Sequence, residues 1–303
     1  MLTTHTREAA TTLQRPPMPK DGRQRKKLRF DPGLFATYII LFVGAFIFLA
    51  PFVWLISASL KDDAQFNLVP IKWIPDPIVW SNFVRAFTEF HLDLYLMNSL
   101  WLAAFSVVVN IVVCSLIAYG FARFHFPGRN ILFFLLLSTM MFPAQVLTIP
   151  LFSVFRQLGW LGTFLPILVP KLFGLGATYE IFLFRQFFIT LPKEIDEAAQ
   201  LDGASTFGVY WRIILPMAKP TIIVTAVFSF LDSWKDAWGP LVYLNDNSLR
   251  TLPVGLLFFV RNLDDIAYPE LMAATLIALA IPTIFYLFGQ RYIDKGVVIT
   301  SSK

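Results

Sequence analysis

The stretch SWKDAW, Ser233 to Trp238, places an ammonium, a carboxylate and two indoles side by side, and Asp232 stands just before it. Carboxylates accept hydrogen bonds from hydroxyls, an ammonium donates them, and an indole face covers the apolar side of a pyranose ring. The set therefore suits holding a polyhydroxylated solute and not making or breaking bonds. In a helix, Asp232 and Lys235 are three apart and Asp232 and Asp236 four apart, so all three share one face. They fall in an apolar run, where an ionised side chain at the centre of a membrane helix costs about 2.5–3.5 kcal/mol. Two roles stay open. One is an internal ion-pair network, with Lys171 neutralising the second carboxylate and Glu180 pairing with Arg185. The other is a solute path lined by Lys171, Trp234, Lys235, Asp236 and Trp238, with Gln145 joining from between Pro143 and Pro150, where proline interrupts the third span.

A second group of residues is built for contact. Residues 197–216 read EAAQLDGASTFGVYWRIILP, a polar island between apolar runs. Pro192 suits a first helical turn, and Glu194, Asp196 and Glu197 complement the positive N-terminal end of the helix dipole. Ile195, Ala198 and Ala199 make a narrow face whose small alanines admit a close partner. Gly203 takes the left-handed conformation that ends this helix, Ser205 caps the next, and Pro216 stops it. The expected product is a helix-turn-helix elbow over about residues 190–216.

The elements that position these groups are membrane helices. Of 303 residues 56% are hydrophobic and only 15% charged, well below the roughly 25% charge of soluble chains. Six runs are long enough to cross a core of about 30 Å: near 34–60, 97–121, 129–153, 161–188, 219–244 and 270–290. Residues 1–33 hold eight basic side chains and read as a cytoplasmic arm, and residues 297–303 as a cytoplasmic tail. With both termini inside, 17 of the 25 Lys and Arg are cytoplasmic and six external, as the positive-inside rule requires. Beyond the first span, Ser81 is expected to cap an amphipathic helix on the outer surface or against the bundle. The outer loop 245–270 offers Arg250, Arg261, Asn262 and Asp264 for contact with an external protein. The fold expected is all-α: a polytopic membrane protein whose single six-helix domain, residues 34–296, carries the cytoplasmic elbow.

Several functions lose support. Cys114 is the only cysteine and the three histidines are scattered, which argues against a metal site. There is no phosphate-binding glycine loop and no dinucleotide fingerprint, so no nucleotide or cofactor is expected on this chain, and nothing marks it for nucleic acid. No nucleophile with a base is assembled, so no enzyme activity is expected.

Residues 197–216 closely resemble the EAA motif of permease subunits of ATP-binding-cassette importers, with Glu197, Ala198, Ala199, Gly203, Ile213, Leu215 and Pro216 in the motif's places. The resemblance runs over about residues 34–296 through APFVWLISASLK, AYGFARFHFPGRN, MFPAQVLTIPLF, IFLFRQFF, LNDNSLRTLPVGL and QRYIDKG. It is nearest the second permease of carbohydrate importers of the maltose-transporter type. It departs from that pattern at Trp234–Ala237 and in its last residues, VVITSSK. The resemblance implies a prokaryotic inner-membrane subunit that forms half of a path for a sugar or oligosaccharide. It also implies a second, homologous permease as heterodimer partner, two cytoplasmic ATPase subunits that use ATP and Mg, and an extracytoplasmic solute-binding protein. The motif would form the coupling helix, with Ile195, Glu197, Ala198, Ala199, Asp202 and Gly203 at the ATPase contact. Two alternatives remain: an anionic solute such as a sugar phosphate or acidic oligosaccharide, or an ion-coupled secondary transporter using Asp232, Lys235 and Asp236.

Overall fold

The computed structural model describes residues 32–262 and 265–301, which leaves nearly all of the expected basic arm and Asp264 outside the described residues. The chain divides into two units, Met1–Ala50 and Pro51–Lys303. In the first unit, the described residues belong to helix α1 (Pro32–Ser59), whose Phe42, Phe46 and Phe48 are all widely exposed. A helix that is apolar on every side is what contact with hydrocarbon selects.

The second unit carries, in order, α2 (Asp63–Phe66), α3 (Ser81–Thr88), α4 (Leu92–Arg123), α5 (Arg129–Ser138), α6 (Thr148–Gln157), α7 (Leu165–Leu168) and α8 (Thr178–Thr190). There follow α9 (Glu194–Leu201), α10 (Thr206–Val209), α11 (Leu215–Met217), α12 (Lys219–Lys235), α13 (Trp238–Tyr243) and α14 (Leu252–Leu256). A small antiparallel ladder of β1 (Val260–Asn262) and β2 (Asp265–Ile266) precedes α15 (Tyr268–Ser301).

The fold is the all-α membrane architecture expected, although its spans are less continuous. Gly33–Ser59, Leu92–Arg123, Leu165–Thr190 and Tyr268–Gln290 are each long and apolar enough to cross a membrane. Two more crossings follow if each bent pair counts as one: Arg129–Met141 with Gln145–Gln157, bent by 90°, and Thr206–Met217 with Lys219–Lys235, bent by 80°. Pro143 accounts for the first break, because the residue before proline is pushed out of the helical region, and Phe142 has ψ 121°. The expected span over 219–244 stops at Lys235, where Asp236 turns extended. Helix α15 continues through the expected tail boundary to Ser301.

Helix α4 is the centre of the second unit. It packs on α8 and α12, and α12 packs in turn on α15. Two buried clusters lie toward its two ends. One gathers Ala118, Tyr119 and Ala122 with Phe184 and Phe188 of α8 and with Ala199, Val209, Tyr210 and Ile214 of the elbow. The other gathers Leu92, Tyr95 and Ala103 with Phe230, Trp234, Leu252 and Ala274. Gly174, at φ +71°, lets the chain pass close to α4: a Cβ there would lie 2.9 Å from Ile117 Cδ1.

Helix α3 corrects one expectation. Trp80, not Ser81, holds the N-cap position, and no side chain caps the helix. Its polar face turns inward: Asn82 is buried and donates to Ser59 and Lys61 carbonyls at 2.9 and 2.7 Å, while Arg85 meets buried Glu270 of α15 at 3.0 Å. Val84 and Phe87 face outward.

Candidate functional site

The elbow is assembled much as its residues dictate. Helix α9 begins one residue later than Lys193 and carries Glu194, Asp196 and Glu197 in its first turn. Gly203 has φ +87° with nothing near its missing Cβ, so the backbone angle alone demands glycine there. Ser205 caps α10 by accepting the Gly208 N–H at 3.2 Å. Pro216 does not stop a helix. It sits in the first turn of α11, after a wide turn over Tyr210–Ile214 in which the Leu215 N–H reaches Tyr210, and the chain bends into α12 beyond Met217.

Which face of α9 is outward differs from the expectation. Ala199 is only 8% exposed and Ile195 is half-buried, and both pack on the chain's own core. The physical reason is that α9 needs an apolar seat of its own, and these are its inward residues at four-residue spacing. Glu197, Ala198, Asp202 and Gly203 are exposed, and so is Leu201, at 89%. Leu201, Phe207 and Trp211 are large apolar side chains left open on the elbow. The sequence signal for them was present, since an apolar residue on a polar island has no reason to be there unless something covers it.

Helix α9 is anchored by a buried charge that the sequence reading did not pair. Asp196 Oδ2 lies 3.0 Å from Arg123 Nη2, and Asp196 Oδ1 accepts the Tyr119 hydroxyl at 3.1 Å. The Arg123 Nη1 donates to the Leu191 carbonyl at 3.0 Å. Nη2 and Oδ2 are close without hydrogen-bond alignment, so that contact is Coulombic.

The other candidate group lies on a cavity of about 730 Å³ between α8, α12, α14 and α15. Tyr179, Glu180, Asp232, Trp234, Lys235 and Thr275 contribute to its lining. Lys235 Nζ is 3.5 Å from Asp232 Oδ1, and their side chains are 74% and 63% exposed. Asp236 does not join them on a helical face, because α12 has already ended. Its Oδ1 instead accepts the Gly239 N–H at 3.1 Å, bracing the start of α13. Lys171 lies within electrostatic reach of both Glu180 and Asp236. Arg185 does not pair with Glu180: its guanidinium sits 4.0 Å over the Phe133 ring.

The two indoles have different surroundings. Trp234 is 6% exposed, stacks on Phe230, and donates its N–H to the Ala278 carbonyl at 3.1 Å, so it is a wall of the cavity with its donor already used. Trp238 is exposed and donates to Thr148 Oγ1 at 2.9 Å, tying α13 to α6. Neither Trp238 nor Gln145, which is exposed on the turn Ala144–Leu147, lines this cavity. Tyr179 and Thr275 were missed, since each is a single polar residue in an apolar run and only the helix packing brings them to the charges.

In the outer loop, Arg250 lies 3.4 Å over the Phe258 ring, and its carbonyl accepts from Asn98 at 2.9 Å. Arg261 and Asn262 lie on β1. Asp246 caps the turn Asn247–Leu249 through the Ser248 N–H at 2.8 Å, which holds its carboxyl below the usual carboxylate range.

Residues 110–299 match the family described as binding-protein-dependent transport system inner membrane component. The arabinooligosaccharides transport system permease protein AraQ of Halalkalibacterium halodurans is 31% identical over 86% of this chain and 92% of its own length. The sn-glycerol-3-phosphate transport system permease protein UgpE of Yersinia pestis is 32% identical over 86% of this chain and 94% of its own. A chain of a solved bacterial ABC transporter that imports the acidic polysaccharide alginate superposes with TM-score 0.72 at 22% identity, covering 89% of this chain and 96% of that one. The protein therefore belongs to the family of inner-membrane permease components of binding-protein-dependent transport systems.

Proposed function

We propose that this permease forms half of the path by which a neutral sugar or oligosaccharide enters the cell, driven by ATPase subunits that seat on its elbow. The observation that carries the reading is the Asp232–Lys235 pair: two charges stand widely exposed on a helix otherwise built for the membrane, at the rim of an open cavity. Lipid is an expensive neighbour for them, so the face belongs to an aqueous path closed by a second, homologous permease. The lining sets the Glu180, Asp232 and Lys235 side chains beside the Tyr179 and Thr275 hydroxyls, donors and acceptors suited to a hydroxyl-bearing solute. The arabinooligosaccharide permease among the relatives supports the same class.

The exposed elbow surface of Glu197, Ala198, Leu201, Asp202 and Gly203 suits docking to cytoplasmic ATPase subunits that bind ATP and Mg. The excess of Lys and Arg in the segments assigned to the inside supports a cytoplasmic position for both termini. The outer loop around Arg250, Arg261, Asn262 and Asp264 then faces the solute-binding protein. The test is uptake into proteoliposomes holding the co-purified complex, with arabinotriose and sn-glycerol 3-phosphate offered in turn with the cognate binding protein. ATP-dependent uptake of the neutral sugar, reduced in Lys235→Ala, is expected. Preferential uptake of the phosphate, or uptake that follows an ion gradient without ATP, would overturn the reading.

A further inference from the structure

We propose that the Arg123–Asp196 ion pair, with Tyr119, is the joint through which movement of the elbow reaches the solute cavity, making Arg123 and Asp196 positioning residues of coupling. This rests on the reading that the elbow seats an ATPase. One guanidinium holds two points of the moving part: the Leu191 carbonyl just before α9, and Asp196 within it. Displacement of α9 in any direction therefore pulls on the end of α4. The remaining inward contacts of α9 are Ala199 and the half-buried Ile195, apolar packing without directional bonds. A buried ion pair is a poor choice if adhesion were all that mattered, because well-packed apolar residues hold as firmly; its attested use is in fixing register.

From this joint a polar seam runs along α4 toward the cavity helix. Ser115 Oγ meets the Tyr210 hydroxyl at 2.7 Å, Asn110 donates to Ser229 Oγ at 3.0 Å, and Ser106 Oγ meets Ser233 Oγ at 3.3 Å. Ser229 and Ser233 flank Asp232 on α12, the helix that presents the exposed ion pair to the cavity. Arg123 to Ser106 spans about 25 Å of helix at 1.5 Å per residue. No proline interrupts α4 over that length, so it moves as one rod. The joint at one end and the serine contacts at the other make elbow and cavity parts of a single lever.

The test uses the complex with its ATPase subunits in proteoliposomes, on a Cys114→Ala background with Leu279→Cys as reporter. Leu279 lines the cavity and is 39% exposed. Labelling by a membrane-impermeant maleimide is read without nucleotide and after trapping with MgATP and vanadate. In the otherwise unaltered complex a severalfold change on trapping is expected. Arg123→Ala is expected to retain bound ATPase but to lose that change, and the exchange Arg123→Asp with Asp196→Arg to restore at least part of it. A full response in Arg123→Ala overturns the joint. Should Arg123→Ala fail to assemble, Asp196→Asn keeps the shape but removes the charge that faces Arg123, and a full response there overturns it equally. Absence of any response in the parent complex would instead sink the coupling reading itself.

Discussion

The two ends of α4 are built on opposite terms. At the elbow end, opposite charges are buried together: Arg123 and Asp196 are enclosed, Tyr119 donates to Asp196, the Leu191 carbonyl accepts from Arg123, and an aromatic cluster surrounds them. At the cavity end, charges stand open: Asp232 and Lys235 form a widely exposed pair, at 3.5 Å, on the lining of the cavity. The first arrangement suits the transmitting joint proposed above. The second suits the half-site of the proposed function, which a second permease and a solute would complete.

If that contrast holds, the largest effects come from the elbow. Gly203→Asp forces a side chain into a φ of +87°, a strain of about 1–3 kcal/mol at the point where α9 is held to its surface loop. With Glu197→Lys, which reverses an exposed charge, it is expected to leave the protein inserted while abolishing ATP-driven uptake. Pull-down of the ATPase subunits and uptake in the same membranes check this, and normal uptake in either variant refutes the docking role. Next comes the shared wall. Trp234→Ala empties a buried indole site and costs about 3–5 kcal/mol, visible as a large drop in melting temperature in detergent. Trp234→Phe forfeits chiefly the bond to the Ala278 carbonyl, about 1 kcal/mol. A Trp234→Phe variant that kept its stability yet lost uptake would move Trp234 from wall to solute contact.

The elbow was the more legible half because its signals are local. A glycine needing positive φ, a serine before a helix and acidic residues in a first turn are readable within a few positions, and Gly203 and Ser205 do what their types imply. Pro216 misled because a proline tolerated in a first turn and a proline that ends a helix look alike in sequence, and only the wide turn before it decides. At the cavity, spacing promised one helical face for Asp232, Lys235 and Asp236. Asp236 left that face to brace α13, a choice set by where the helix breaks and not by its charge. The inward pairing of Arg123 with Asp196 spans 73 residues of chain, and no periodicity carries such a contact.

The smaller predictions probe each end for the opposite property. Lys235→Ala removes an exposed pair whose stabilising worth is about 0–1 kcal/mol, so melting should barely change while the KM for the neutral sugar rises severalfold. Uptake measured over a range of solute concentrations reads this directly, and an unchanged KM would make the pair structural and the cavity end more like the elbow than the contrast allows. Ser205→Ala removes one capping bond at α10, at a cost of about 1 kcal/mol. Because Gly203 and the Arg123–Asp196 anchor still fix α9, that loss should appear in amide exchange over residues 205–209 with uptake nearly intact. A large loss of uptake from so small a change would mean that the elbow works by yielding, and that its closed construction is not what carries the force.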